Sequence, residues 1–117
     1  MVLSTVRIVV AEEKFHEVLE TMKYILERFR VKTGCIHCRV YRDIENPQAL
    51  VFEDKWETQN ALRSHIRSAD YKTVLSLMEM SLQPPEVDIY SCLTVSGIDY
   101  IGDIRASQGD GGIWRAE

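Results

Sequence analysis

The sequence predicts one α+β domain in which a four-stranded antiparallel sheet carries its helices on one face. Runs rich in β-branched and aromatic residues near 2–10, 35–43, 49–56 and 87–95 have the length and composition of strands. Between them, 12–30 and 59–82 repeat apolar residues at helical steps. The order strand, helix, strand, strand, helix, strand builds an antiparallel sheet with both crossovers on one side. At 117 residues, 45% hydrophobic and 27% charged, the chain has enough apolar side chains for one core and is neither disordered nor fibrous in composition.

The first strand, VLSTVRIVV, carries apolar side chains on both alternations. In the first helix Phe15, Val18, Leu19, Met22, Ile25, Leu26 and Phe29 form one stripe, with charged residues opposite. Gly34, the first glycine, marks a chain reversal before the strand CIHCRVYRD. Asn46-Pro47 supplies a turn, ALVFEDKW the third strand, and the two strands form a hairpin. Thr58 is placed to cap a short helix over 59–67. Ser68 is placed to cap another over 69–82, with Tyr71, Val74, Leu75, Met78 and Leu82 on its inner face. Pro84-Pro85 ends that helix, and VDIYSCLTV is the last strand.

Five of the six glycines follow residue 96, so 1–96 reads as the domain and 97–117 as a Gly-rich C-terminal extension. The extension also holds Tyr100, Ile101, Ile104, Ile113 and Trp114, which suit packing on a partner better than a free linker. Helices cover only one face of such a sheet, while Val, Ile, Leu, Cys and Tyr stand on both alternations of its strands. The second face is therefore expected to be apolar and to be covered by a second copy, giving a homodimer.

Lysine and arginine total 14 against 18 acidic residues, a net charge of −4 with no dense basic block, which argues against a nucleic-acid partner. No apolar run is long enough to span a membrane and no cleavable leader is visible, so a cytoplasmic location is expected. Three cysteines, Cys35, Cys38 and Cys92, fit a reducing compartment rather than a disulfide framework. Cys35 and Cys38, three apart on a strand, are expected on opposite faces and so unable to grip one metal. Gly109-Asp110-Gly111-Gly112 lacks the lysine and hydroxyl of a phosphate loop. No metal, flavin or haem is expected.

The segments TGCIHCRVYRD and LVFEDKWETQNALRSHIRSADYKTV resemble the antibiotic biosynthesis monooxygenase family, with Trp56, Ala61, Leu62, His65, Ser68 and Tyr71 at the family spacing. The resemblance spans about residues 2–95. It implies a ferredoxin-like βαββαβ fold with a broken second helix, assembled as a dimeric α+β barrel. It also implies oxidation of a small phenol or quinol without a cofactor. Two positions depart from the family pattern: Asp70 stands where many members have a second histidine, and Thr33 where many have proline.

Oxygenation without a cofactor needs an electron-rich substrate held as its anion, an oxyanion stabiliser and a dry site. His65 falls on the inward helix face with Ala61, Leu62 and Ile66, where its imidazole serves either as the base or as a core histidine bonded to a backbone carbonyl. Tyr71 is then a donor to the substrate oxygen and Trp56 an aromatic wall, unless both are only packing. His16 reads as surface, and His37 as a dimer contact beside Cys35, Arg39 and Tyr41. Haem degradation is the weaker reading, since Leu75 occupies the place of the axial histidine. RNA binding lacks its aromatic strand motif. A dimer that binds a small ligand without catalysis is the main alternative.

Overall fold

The computed structural model describes residues 1–107; Ile113, Trp114 and the glycine run at 109–112 lie outside them. Strand β1 (Val2–Val9) leads through a 3₁₀ turn (Glu12–Lys14) into helix α1 (Phe15–Arg30). Strands β2 (Cys35–Arg42) and β3 (Ala49–Trp56) follow, then helices α2 (Gln59–Arg67) and α3 (Tyr71–Glu79), strand β4 (Glu86–Ser91) and helix α4 (Ile98–Ala106). The sheet is fully antiparallel in the order β2-β3-β1-β4, the ferredoxin-like arrangement, and it is open, with β2 and β4 as its edges.

The core lies between the sheet and α1 with α3. Val6, Ile8, Cys38, Leu50 and Phe52 from the strands meet Val18, Met22, Ile25 and Phe29 of α1 and Tyr71, Val74 and Leu77 of α3. Helix α1 thus buries the stripe that its spacing prescribes. Helix α3 differs from its expected face: Leu77 is buried, whereas Leu75 is 48% and Leu82 64% exposed. The buried stripe is centred on Val74, which leaves Leu75 on its flank. The helix closes at Met80, so Leu82 is out of its phase.

Strand β4 ends at Ser91 rather than near residue 95. Past it, the Cys92 amide donates to the Met1 carbonyl at 2.8 Å and the Met1 amino group donates to the Cys92 carbonyl at 3.3 Å. Ser68 is also reassigned: it closes α2, with its hydroxyl donating to the His65 carbonyl at 2.6 Å, instead of capping α3.

The expected apolar second face is corrected by the register. Val2, Val6 and Ile8 of β1 lie on the helix side, paired with Trp56, Phe52 and Leu50. The other side carries Leu3, Tyr41, Val51 and Tyr90 among Arg7, His37, Arg39, Glu53, Lys55, Glu86 and Asp88. It is a mosaic of charge and aromatic surface, because the alternation of all four strands puts charged residues there.

A register shift between Cys35 and His37 makes a second correction. The extra residue returns Cys35 to the helix side, where it packs against the cluster that contains Cys38. The two sulfurs therefore do not take opposite faces. Burial raises the pKa of both thiols, which keeps them protonated.

Candidate active site

The site forms where the loop after α1 meets α2 at one end of the sheet. Gly34 makes that meeting possible. Its φ is +85°, and a Cβ there would sit 2.6 Å from the Ala61 Cβ, so any side chain would both strain the backbone and push α2 away. The Gly34 carbonyl accepts from the Glu57 amide at 2.8 Å, tying the loop to the end of β3. Thr58 caps α2 as the sequence indicates, its hydroxyl accepting from the Ala61 amide at 3.1 Å. Lys32 and Thr33 are thereby held against Ala61, Ser64, His65 and Ser68.

Those six residues and Trp56 line a cavity of about 200 Å³. Trp56, at the end of β3, is 1% exposed, and its indole stacks on the His65 ring with centroids 4.6 Å apart and planes at 29°. The indole N–H donates to the Asp54 carboxylate, two residues back on the same face. Phe29 and Tyr71 meet the His65 ring edge-on at 4.3 Å and 5.2 Å. His65 is itself 2% exposed, on the inward face of α2. His65 and Trp56 thus share one wall. Tyr71 lies behind the imidazole and does not line the cavity, so it reaches the site through the His65 ring.

The polar side of the cavity comes from residues that periodicity does not single out. The Lys32 ammonium lies 2.9 Å from His65 Nδ1, 2.9 Å from Ser68 Oγ and 3.6 Å from Asp70. Asp70, where the family pattern has a second histidine, also accepts from Arg28 at 2.9 Å. A lone lysine in a reversal two residues before a glycine was the sole sequence signal for this cluster, and many surface loops share it. His65 Nε2 is buried and has no hydrogen-bond partner among the described residues.

Burial, with a further contribution from Lys32, lowers the His65 pKa to about 4, against which Asp70 works only partly. The imidazole is therefore neutral at neutral pH and a weak proton acceptor, unlike the base that an exposed histidine provides. Asp54 moves the other way: burial lifts its pKa to about 6, although the Trp56 hydrogen bond opposes the change. Burial, then Asp54, also raises the Tyr71 pKa, keeping its phenol protonated.

The remaining histidines stand apart. His16 is exposed on α1, and His37 pairs with Glu53 at 3.1 Å on the open face of the sheet. Among the described residues, no three His, Cys, Asp or Glu side chains gather as a metal-binding group, and no helix is long and apolar enough to cross a membrane.

Fold and site together define a ferredoxin-like α+β domain with a small cavity built around a buried histidine–tryptophan stack. The sequence model of the antibiotic biosynthesis monooxygenase family matches residues 1–76, and the chain belongs to that family. Membership supports a monooxygenase-like function. No curated protein matches the chain. Among solved structures it is similar to a candidate antibiotic biosynthesis monooxygenase of Deinococcus radiodurans, with 16% identity, a TM-score of 0.75, and coverage of 83% of this chain and 97% of that one. A conserved protein of Methanosarcina mazei Go1 shares 30% identity, with a TM-score of 0.71 and coverage of 76% and 89%. A candidate antibiotic biosynthesis monooxygenase of Nitrosomonas europaea shares 19%, with a TM-score of 0.71 and coverage of 80% and 100%. At such identities the first and third likenesses establish the fold alone.

Proposed function

We propose that the chain is a cofactor-independent monooxygenase acting on a small phenol or quinol bound in the cavity beside His65 and Trp56. The observation that carries the reading is the unpartnered Nε2 of a buried histidine at the wall of a cavity. Leaving such a group without a partner costs about 1–3 kcal/mol, a cost found more often at functional sites than in plain packing. The cavity, about 200 Å³, is below the usual 300–1,000 Å³ of drug-sized sites and suits a single aromatic ring.

In this reading Trp56 forms the aromatic wall, His65 contacts the substrate oxygen, and Tyr71 holds the imidazole in place from behind. A quinol needs no external reductant. With one dioxygen it gives a hydroxyquinone and one water, since one oxygen atom enters a ring C–H bond and the other leaves as water. The substrate itself supplies the electrons for both changes. The protein has to bind, orient and exclude water.

Oxygen uptake with a panel of single-ring quinols and phenols tests the proposal, after a visible spectrum and metal analysis of the purified protein. Wild type should consume oxygen with no flavin, haem or stoichiometric metal present. His65→Ala, checked for folding, should lose roughly 10²–10³-fold in turnover, the usual loss of one preorganised donor. Binding of a phenol without uptake across the panel would instead establish the non-catalytic ligand-binding dimer, which uses the same cavity. Undiminished activity in His65→Ala would remove His65 from the mechanism.

A further inference from the structure

The hydrogen bonds around Lys32 have only one consistent set of directions. An ammonium donates and cannot accept. The Ser68 hydroxyl spends its proton on the His65 carbonyl at 2.6 Å, so toward Lys32, at 2.9 Å, it presents a lone pair. Asp70, at 3.6 Å, is an acceptor as well. Lys32 thus donates to Ser68 Oγ and pairs ionically with Asp70, and since an ammonium can only donate, His65 Nδ1 at 2.9 Å accepts from it as well. With Nδ1 occupied as an acceptor, a neutral imidazole carries its proton on Nε2, which is the buried atom that lacks a partner.

We propose that Lys32 is the positioning residue of this site: it fixes His65 as the Nε2–H tautomer and holds its own ammonium at the cavity wall, where the cavity receives an already ionised substrate oxygen, a phenolate or quinolate, as a hydrogen-bond acceptor. The inference rests on the cavity being the substrate site. It reverses the role that the residue type alone suggests, since His65, with Nδ1 accepting from Lys32, is not free to remove a proton from the oxygen. The ammonium at the cavity wall favours the same anion electrostatically, and a phenolate transfers an electron to dioxygen more readily than a phenol. Around the ring, Lys32 comes from the loop after α1, Asp70 and Tyr71 from the start of α3, and Asp54 from β3 beneath Trp56. Of these, Asp70 alone favours the imidazolium, and its carboxylate is shared with Arg28.

Two readouts test the assignment. Side-chain ¹⁵N NMR of wild type should show His65 neutral with its proton on Nε2. Lys32→Met should mix the tautomers and raise the His65 titration midpoint, and Lys32→Arg, which keeps a cationic donor, should preserve the wild-type pattern. As a probe ligand, 4-nitrophenol ionises near neutral pH, and its phenolate absorbs in the visible. Wild type should hold it as the phenolate below the pH at which the free compound protonates, and Lys32→Met should bind it roughly ten- to a hundredfold more weakly. An Nδ1–H tautomer in wild type, an unchanged His65 spectrum in Lys32→Met, or 4-nitrophenol bound as the neutral phenol or not at all would each overturn the proposal. Oxygen uptake is judged separately. Its absence alongside the expected spectra would retire the monooxygenase reading while supporting the role of Lys32.

Discussion

His65 and Asp54, both 2% exposed and bridged by the indole of Trp56, are shifted in opposite directions by the same burial. The His65 pKa falls from 6.5 to about 4, so as pH drops through that interval the unfolded chain takes up a proton that the folded state refuses. That linkage removes about 3 kcal/mol of stability. The Asp54 pKa rises from 3.8 to about 6, so over nearly the same interval the folded state binds the extra proton. Here the linkage adds about 3 kcal/mol as pH falls. The two contributions offset each other in wild type and should be separable by mutation. Urea unfolding of Asp54→Asn, measured relative to wild type, should show its relative stability falling by about 3 kcal/mol between about pH 7 and about pH 4. A difference that stays flat with pH would mean that Asp54 ionises as an ordinary surface carboxylate.

At the scale of elements, α3 shows how a short helix selects its buried stripe. Tyr71, Val74 and Leu77 enter the core, while Leu75 remains half-exposed even though it belongs to a plausible apolar spacing. Leu77→Ala should therefore cost about 2–4 kcal/mol, and Leu75→Ala under about 1 kcal/mol, by chemical denaturation. Equal costs would contradict the observed rotation of the helix. Helix α2 is set differently. Its cap at Thr58 and its contact with Gly34 fix where His65 enters, so the site depends on a close approach of loop and helix more than on helix propensity.

For the whole molecule, the apolar side chains left in water collect at the C-terminal end. Val87 and Ile89 lie on the helix side of β4 yet remain about half-exposed, and Leu93 is fully exposed. In α4, Ile98, Tyr100, Ile101 and Ile104 are all about half-exposed or more. We propose that a homodimer joins the mixed open faces of two sheets and covers this end as well, with 1–96 as the domain and 97–117 as an extension that strengthens the pairing. Sedimentation at micromolar concentration should give a dimer, and deletion of residues 97–117 should shift it toward monomer. A stable wild-type monomer, or a deletion that dimerises as tightly as the full chain, would count against the assembly or the extension respectively.

The sequence by itself determined the order of the elements from β1 to β4, though not helix α4 in the Gly-rich extension, together with the buried stripe of α1, the hairpin, the break at Ser68, and the inward placement of His65 beside Trp56. These features follow from local rules, because a side chain's direction relative to its own helix or strand is fixed by backbone period. Other features required the tertiary structure. A bulge between Cys35 and His37 reversed the face expected for Cys35, and β4 closed at Ser91. The core chose Leu77 over Leu75, and strand register gathered the charged residues on the open face. Lys32 meets His65 across 33 positions of chain. No periodicity encodes that pair, since a loop has no repeating direction and the contact exists only once Gly34 allows the loop to rest on Ala61. The location of the site was therefore legible in α2 and β3, whereas the protonation state of its histidine was decided by packing between segments distant in sequence.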